Sequence, residues 1–138
     1  MPKSKTDIVV GWLDKSERDL AVAKRELEMP NPYTDIICFH SQQAVEKIMT
    51  AYLIYMDIEF QKTHDIEDLV IQAGKKDEEI LKFKDKGVEL TVFAVESRYP
   101  EFSDPSIQDT KEIIKIAEKF KKYILKKILI QSIIKDKA

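Results

Sequence analysis

Apolar residues recur at three- and four-residue steps along most of the chain. Over residues 7–28, Ile8, Trp12, Leu20, Ala23 and Leu27 fall on one stripe completed by Ser16, the period of an amphipathic helix. Met29-Pro30-Asn31-Pro32 ends that helix, because Pro30 disfavours helical geometry at the residue before it. Asn31 is placed to cap a second helix with Pro32 at its first position. This second helix, running to about Met56, is apolar over most of its circumference and is expected at the centre of a bundle. The chain then turns over residues 60–64. Asp65 is set to cap a third, short helix carrying Ile66, Leu69, Val70 and Ala73, with Gly74 at its end. Residues 78–83 suggest a helical turn of their own. Residues 88–95 continue as helix to Tyr99, with a competing strand reading because Val, Thr and Phe favour strands. Pro100 and Pro105 bracket a loop. Asp104, with Pro105 behind it, is expected to cap a long last helix whose Ile113, Ala117, Phe120, Ile124 and Ile128 share one face. The pattern predicts an all-α, up-and-down antiparallel bundle of about five helices. The first, second, fourth and last of them are long.

Composition agrees with that fold class. The chain has 138 residues, the size of one compact domain, and only 3 Gly and 5 Pro, against 43% hydrophobic and 35% charged residues. A single domain over residues 1–138 is expected, with a core over 6–128 and a helical tail over 129–138. The one cysteine, Cys38, excludes an internal disulfide and suits a reducing, cytoplasmic setting. The first twelve residues hold no apolar run of leader type, and the least charged stretch, 36–56, is broken by His40, Gln42, Gln43, Glu46 and Lys47. Neither export nor a membrane span is expected. Charge is unevenly spread: residues from Ser106 onward carry +5 and the first 105 carry −7, for a total of −2. Lys111, Lys115, Lys119, Lys122 and Lys126 lie on the face of the last helix opposite its apolar stripe. That row suits a solvated face near the negative end of the helix dipole, or an acidic partner or RNA.

Candidate chemistry concentrates on the second helix. His40, Gln43, Lys47 and Thr50 follow at steps of three, four and three, with Gln42 and Glu46 beside them, giving one polar sector on an apolar helix. Such groups, if buried, must satisfy one another or face a ligand. Lys62-Thr63-His64-Asp65 offers a His-Asp pair of the kind found in divalent-metal phosphohydrolases. The chain has only two histidines and Asp65 already serves as a cap, so no metal and no cofactor are expected. Cys38 and His40 are two residues apart and face away from each other on a helix, which argues against a Cys-His nucleophile. Glycines only at positions 11, 74 and 87 exclude a Gly-rich phosphate loop. In Arg98-Tyr99-Pro100 the arginine can cap helix carbonyls or read phosphate, and the tyrosine offers a stacking surface.

Taken in order, Gln42-Gln43-Ala44-Val45-Glu46-Lys47, then Thr63-His64-Asp65-Ile66 with Leu69, then Arg98-Tyr99-Pro100 before the last helix, the chain resembles the HEPN domain, the higher eukaryotes and prokaryotes nucleotide-binding family. The resemblance covers roughly residues 6–128. It implies an all-α bundle of four or five helices, usually a homodimer and often encoded beside a minimal nucleotidyltransferase. Many relatives are metal-independent RNases acting as toxins, using an Arg followed after four to six residues by a His. Here Arg98 matches the Arg, but Ser103, Asp104 and Pro105 stand where the His would fall.

What the resemblance does carry over is a ligand groove rimmed by Gln43, Glu46, Lys47, His64, Arg98 and Tyr99. Arg98 and Lys47 are expected to hold phosphate, Tyr99 to stack or present its hydroxyl, and Glu46 and His64 to order the set. The resulting expectation is a non-catalytic, dimeric nucleotide- or RNA-phosphate-binding module working with a nucleotidyltransferase partner. An RNA-cleaving toxin in which His64 replaces the missing base and a helical adaptor without ligand are the alternatives. The dimer expectation rests on the apolar surface of the second helix and of residues 125–134, with Ile114, Leu125 and Leu129 placed off the core face.

Overall fold

The computed structural model describes residues 3–137, with side chains through residue 129. Its elements are α1 (Lys5–Leu27), α2 (Thr34–Tyr55), α3 (Ile66–Ala73), a 3-10 segment (Glu78–Phe83), α4 (Lys84–Glu96) and α5 (Ile107–Lys137). No strand occurs among the described residues, so residues 88–95 are helix and the strand alternative is overturned. Leu90 and Ala94 are buried while Val92 between them is exposed, as on a helix; a strand would turn all three to one face.

The helix starts differ from the sequence expectation by about one half-turn, and each shift has a local cause. α1 begins earlier because Ser4 and Asp7 form a capping box: the Asp7 amide donates to Ser4 Oγ at 3.1 Å and the Ser4 amide to the Asp7 carboxylate at 3.2 Å. α2 begins after Tyr33 rather than Asn31, since the Tyr33 amide donates to the Glu26 carboxylate at 3.0 Å and ties the loop back to α1. α5 begins after Ser106, whose Oγ accepts from the Asp109 amide at 3.0 Å, so neither Asp104 nor Pro105 takes the role assigned to it. Asp65 does cap α3, accepting from the Glu67 amide at 3.0 Å, and Gly74 closes it. On α1, Ile8 is exposed and Val9 takes its place in the core. On α5, Ile114 is buried rather than off the core face, while Leu125 and Leu129 are exposed. Side chains 130–134 of the expected interface lie outside the described residues.

Successive long helices run antiparallel, which makes α2 and α5 parallel. Cys38 near the start of α2 lies beside Thr110, and the Tyr55 hydroxyl near its end meets the Ile128 carbonyl at 3.4 Å. One apolar cluster draws on every element, from Leu20 and Ala23 through Ile37, Val45, Met49, Leu53, Leu69, Ile80 and Leu90 to Ile113, Phe120 and Ile124. α1 is tied to α2 by the Ser16 hydroxyl, which donates to the Ala44 carbonyl at 2.6 Å. At the far end, Tyr52 and Tyr123 both donate to the buried carboxylate of Asp77, at 2.6 and 2.7 Å, joining α2 and α5 to the 3-10 segment.

Gly87 lets α4 cross close over the start of α3. A Cβ there would lie 3.0 Å from the Ile66 side chain and 3.2 Å from the Glu67 backbone nitrogen. Gly87→Val is therefore expected to destabilise the fold by about 2 kcal/mol through overpacking. A urea midpoint equal to that of the wild type would contradict this close approach.

Candidate functional site

The end of α2 determines where the loop carrying His64 runs. Asp57 has φ 55°, the left-handed conformation of a helix stop. The Asp57 amide donates to the Ile54 carbonyl at 3.1 Å and the Ile58 amide to the Leu53 carbonyl at 3.0 Å, forming a Schellman motif. Lys76 caps the same end through the Met56 carbonyl at 2.6 Å. Reversed there, the chain folds back along α2. The Gln42 side-chain amide donates to the His64 carbonyl at 2.8 Å and pins the loop over the polar sector.

A cavity of about 470 Å³ lies between α1, α2 and this loop. Gln43, Glu46, Lys47 and Thr50 line it from α2, and Lys62, Thr63 and His64 from the loop, while Trp12 and Phe60 supply aromatic walls. His64 Nδ1 and Glu46 Oε1 are 3.0 Å apart. Because an ionised carboxylate only accepts, this contact has Nδ1–H donating and leaves Nε2 of the largely exposed ring free. The other carboxylate oxygen, Glu46 Oε2, is buried with no hydrogen-bond partner among the described residues, as is Gln42 Oε1.

Asp19, on α1, organises the second half of the polar sector. Its two oxygens take Lys47 Nζ at 2.6 Å and His40 Nδ1 at 2.9 Å. The sequence reading passed over this residue. Its signal was there, since Trp12, Ser16, Asp19 and Ala23 follow at steps of four, three and four, which puts an acid on the buried edge of α1. Trp12, Phe60 and Lys62 were likewise not assigned to the site, because they approach it from other elements. Thr50 turns its hydroxyl to the Glu46 carbonyl at 2.9 Å, a local bond of helical type.

The six expected rim residues divide into two places. Gln43, Glu46, Lys47 and His64 meet at the cavity. Arg98 and Tyr99 stand at the end of α4, where the Arg98 guanidinium lies over the Phe39 ring, 5.6 Å from its centre. Phe39 precedes Gln43 by one helical turn, about 6 Å along the α2 axis. Tyr99 is half exposed and sits in a turn, its carbonyl accepting from the Phe102 amide at 3.1 Å.

The side chains weighed for other chemistry are placed as follows. Among the described residues no three His, Cys, Asp or Glu side chains converge on a common point. Cys38 packs against α5 while His40 faces Asp19 on α1, so the two do not pair. Burial pushes the Cys38 thiol up to about 11, only partly offset by a hydrogen bond with Thr110. The folded protein is accordingly expected to leave Cys38 unmodified by a thiol reagent at pH 8 and to react on unfolding. Prompt modification of the native protein would show the thiol to be accessible and ionised. No helix among the described residues is long and apolar enough to cross a membrane.

A model of the HEPN domain family matches residues 9–128. No curated protein sequence matches the chain. Among solved structures, the crystal structure of an archaeal HEPN homologue superposes with a TM-score of 0.64 at 23% identity, covering 87% of this chain and 97% of that one. At this identity the likeness bears on the fold, and the family model spans nearly all of the bundle, including both motif-bearing segments of the cavity. The chain belongs to the HEPN domain family.

Proposed function

We propose that this chain is a non-catalytic HEPN module that binds a nucleotide, or an RNA phosphate, in the cavity between α1, α2 and the His64 loop. It acts in the cytoplasm as a homodimer with a minimal nucleotidyltransferase partner, as in toxin–antitoxin pairs. The observation that carries this reading is the composition of the cavity wall. Its volume, about 470 Å³, falls in the range of small-molecule sites. Trp12 and Phe60 provide apolar faces for a base, and Lys47 and Lys62 provide cations for phosphate. Gln43, whose side-chain amide both donates and accepts, offers hydrogen bonds to an amino group or a ribose hydroxyl. Arg98, over Phe39 one turn before Gln43, extends the cationic rim toward α4, and the half-exposed Tyr99 follows it in the next turn.

A second reading, RNA cleavage, is favoured by the Glu46–His64 contact, which holds the ring through Nδ1 and leaves Nε2 without a partner among the described residues. The missing His after Arg98 weighs against it, because the cation and the base then come from two separate places. One experiment separates the two. RNA is incubated with the protein in excess chelator, and ATP binding is measured by calorimetry. The binding reading expects intact RNA and an ATP affinity weakened about tenfold by Lys47→Ala, the loss of one charge-assisted contact. RNA cleavage lost in both His64→Ala and Arg98→Ala would replace it with the toxin reading, and neither binding nor cleavage would favour the adaptor.

The dimer has its own support. Val88, Val92, Val95, Tyr99 and Phe102 are exposed at helical spacing along α4 and the turn after it, an apolar stripe with no cover among the described residues. Light scattering is expected to give twice the chain mass of 16.1 kDa. A mass of one chain at micromolar concentration would remove this part of the proposal.

A further inference from the structure

A second concavity, of about 430 Å³, lies on another part of the bundle between the start of α4 and the middle of α5. Its rim is five lysines, Lys82, Lys86, Lys119, Lys122 and Lys126. Lys82 alone among them has an ion pair with a described residue, to Glu79 at 3.7 Å. Like charges gathered in this way oppose one another, and the helix dipole adds to the opposition. α4 opens on Lys84 and Lys86 with Asp85 as the one acid of its first turn, although a helix amino end favours acids. A solvated face explains a row of lysines on one helix, but an anionic partner accounts for cations from two elements facing one concavity.

We infer that this groove docks an acidic segment of a partner protein that carries an apolar side chain among its carboxylates. The floor decides between this and nucleic acid. It is made by Phe83, which is 8% exposed, and the Tyr123 ring. Lys82 Nζ lies 5.7 Å from the first ring centre and 5.2 Å from the second, and Lys127 Nζ lies 5.4 Å from Tyr123. The Tyr123 hydroxyl is committed to Asp77. The rings thus offer an apolar floor beneath ammonium groups, with no open face on which a base can stack. Glu79, exposed and paired with Lys82 and Lys127, puts acid beside the groove, where a continuous strand of phosphates would meet like charge. A short acidic segment engages the lysines and stops there. Lysine, a flexible point charge without a planar fork, suits carboxylates arriving from several directions.

The test is fluorescence anisotropy with a labelled helix-forming peptide of Glu with Leu and Phe at helical spacing, set against an oligouridylate of equal charge. The peptide is expected to bind. Its affinity should fall about tenfold as the ionic strength rises from about 0.01 to about 0.15 M, a change that shortens the screening length from about 30 to about 8 Å. Lys119→Glu/Lys122→Glu should weaken it about tenfold or more, and Lys82→Ala/Lys126→Ala serves as a milder second variant should the first lose its far-ultraviolet circular dichroism. Lys47→Ala should leave peptide binding unchanged, which keeps this result separate from ATP binding in the other cavity. Tighter binding of the oligouridylate would overturn the inference in favour of nucleic acid. Absence of peptide binding, or binding indifferent to salt and to both lysine variants, would overturn it outright.

Discussion

Asp77→Ala is expected to cost about 3 kcal/mol of stability, the largest effect of any single polar substitution outside the cavity. Asp77 is 8% exposed and accepts two tyrosine hydroxyls on one oxygen, Tyr52 at 2.6 Å and Tyr123 at 2.7 Å, while Lys127 approaches the other at 3.9 Å. Tyr52 is wholly buried, so removing the carboxylate leaves its hydroxyl with no partner and no water, a loss of about 1–3 kcal/mol for that group alone. Tyr123 keeps only a long contact to Glu79, at 3.4 Å. For a chain of this size the melting temperature should fall by about 10 °C. Asp77→Asn, which retains an acceptor, should lose about half as much. The same knot predicts an alkaline limit. Burial, and then the Asp77 carboxylate, push both tyrosine hydroxyls well above their ordinary range. In the folded state they hold their protons where unfolded tyrosines lose theirs, so the stability they contribute is whole below pH about 10 and falls as the pH rises beyond it. An Asp77→Ala melting curve superposable on the wild type would show that the knot is ornamental to the fold.

The second large effect concerns Asp19. Asp19→Ala is expected to lower stability by about 2 kcal/mol, because one carboxylate with a side chain 13% exposed serves both Lys47 and His40. Removing a single member of a buried ion pair leaves the other charge uncompensated, at about 3–5 kcal/mol. The 27% exposure of the Lys47 side chain reduces that figure, since its ammonium regains water. Denaturant unfolding of Asp19→Ala, Lys47→Ala and the double variant checks this directly. The double variant should be more stable than the two single losses summed would give, by a coupling of about 1 kcal/mol. Strict additivity would mean that the pair does not hold α1 to α2.

How far the sequence reaches is visible in these residues. The helices were legible because Leu20 and Ala23, Leu69 and Ala73, Ile113 and Phe120 repeat at the period of a buried helical face. Their starts were not, because a serine or an acid two residues away outcompetes a proline signal once its side chain reaches an amide, as at Ser106. In the site, Gln43, Glu46 and Lys47 could be grouped from spacing alone, since one helix carries all three. His64 joins them only because the Asp57 turn folds its loop back and Gln42 holds it there. Asp19, Trp12 and Phe60 come from elements whose facing no local pattern specifies. Arg98 and Tyr99 were grouped with the cavity by motif order, and the course of α4 sets Arg98 over Phe39, one turn before Gln43, with Tyr99 in the turn that follows. The lysines of the second groove were legible as a row on α5. Lys82 and Lys86 complete the rim from a segment some thirty residues upstream, which only the packing reveals.

The central claim, that the cavity beside Lys47 and His64 takes a nucleotide, can be read from the protein's own fluorescence. Trp12 is the only tryptophan and lines that cavity. Titrating ATP into the wild-type protein is predicted to change Trp12 emission in a saturable manner, with a midpoint shifted about tenfold upward in Lys47→Ala. Emission that does not respond to ATP, or a response identical in the wild type and Lys47→Ala, would contradict the account.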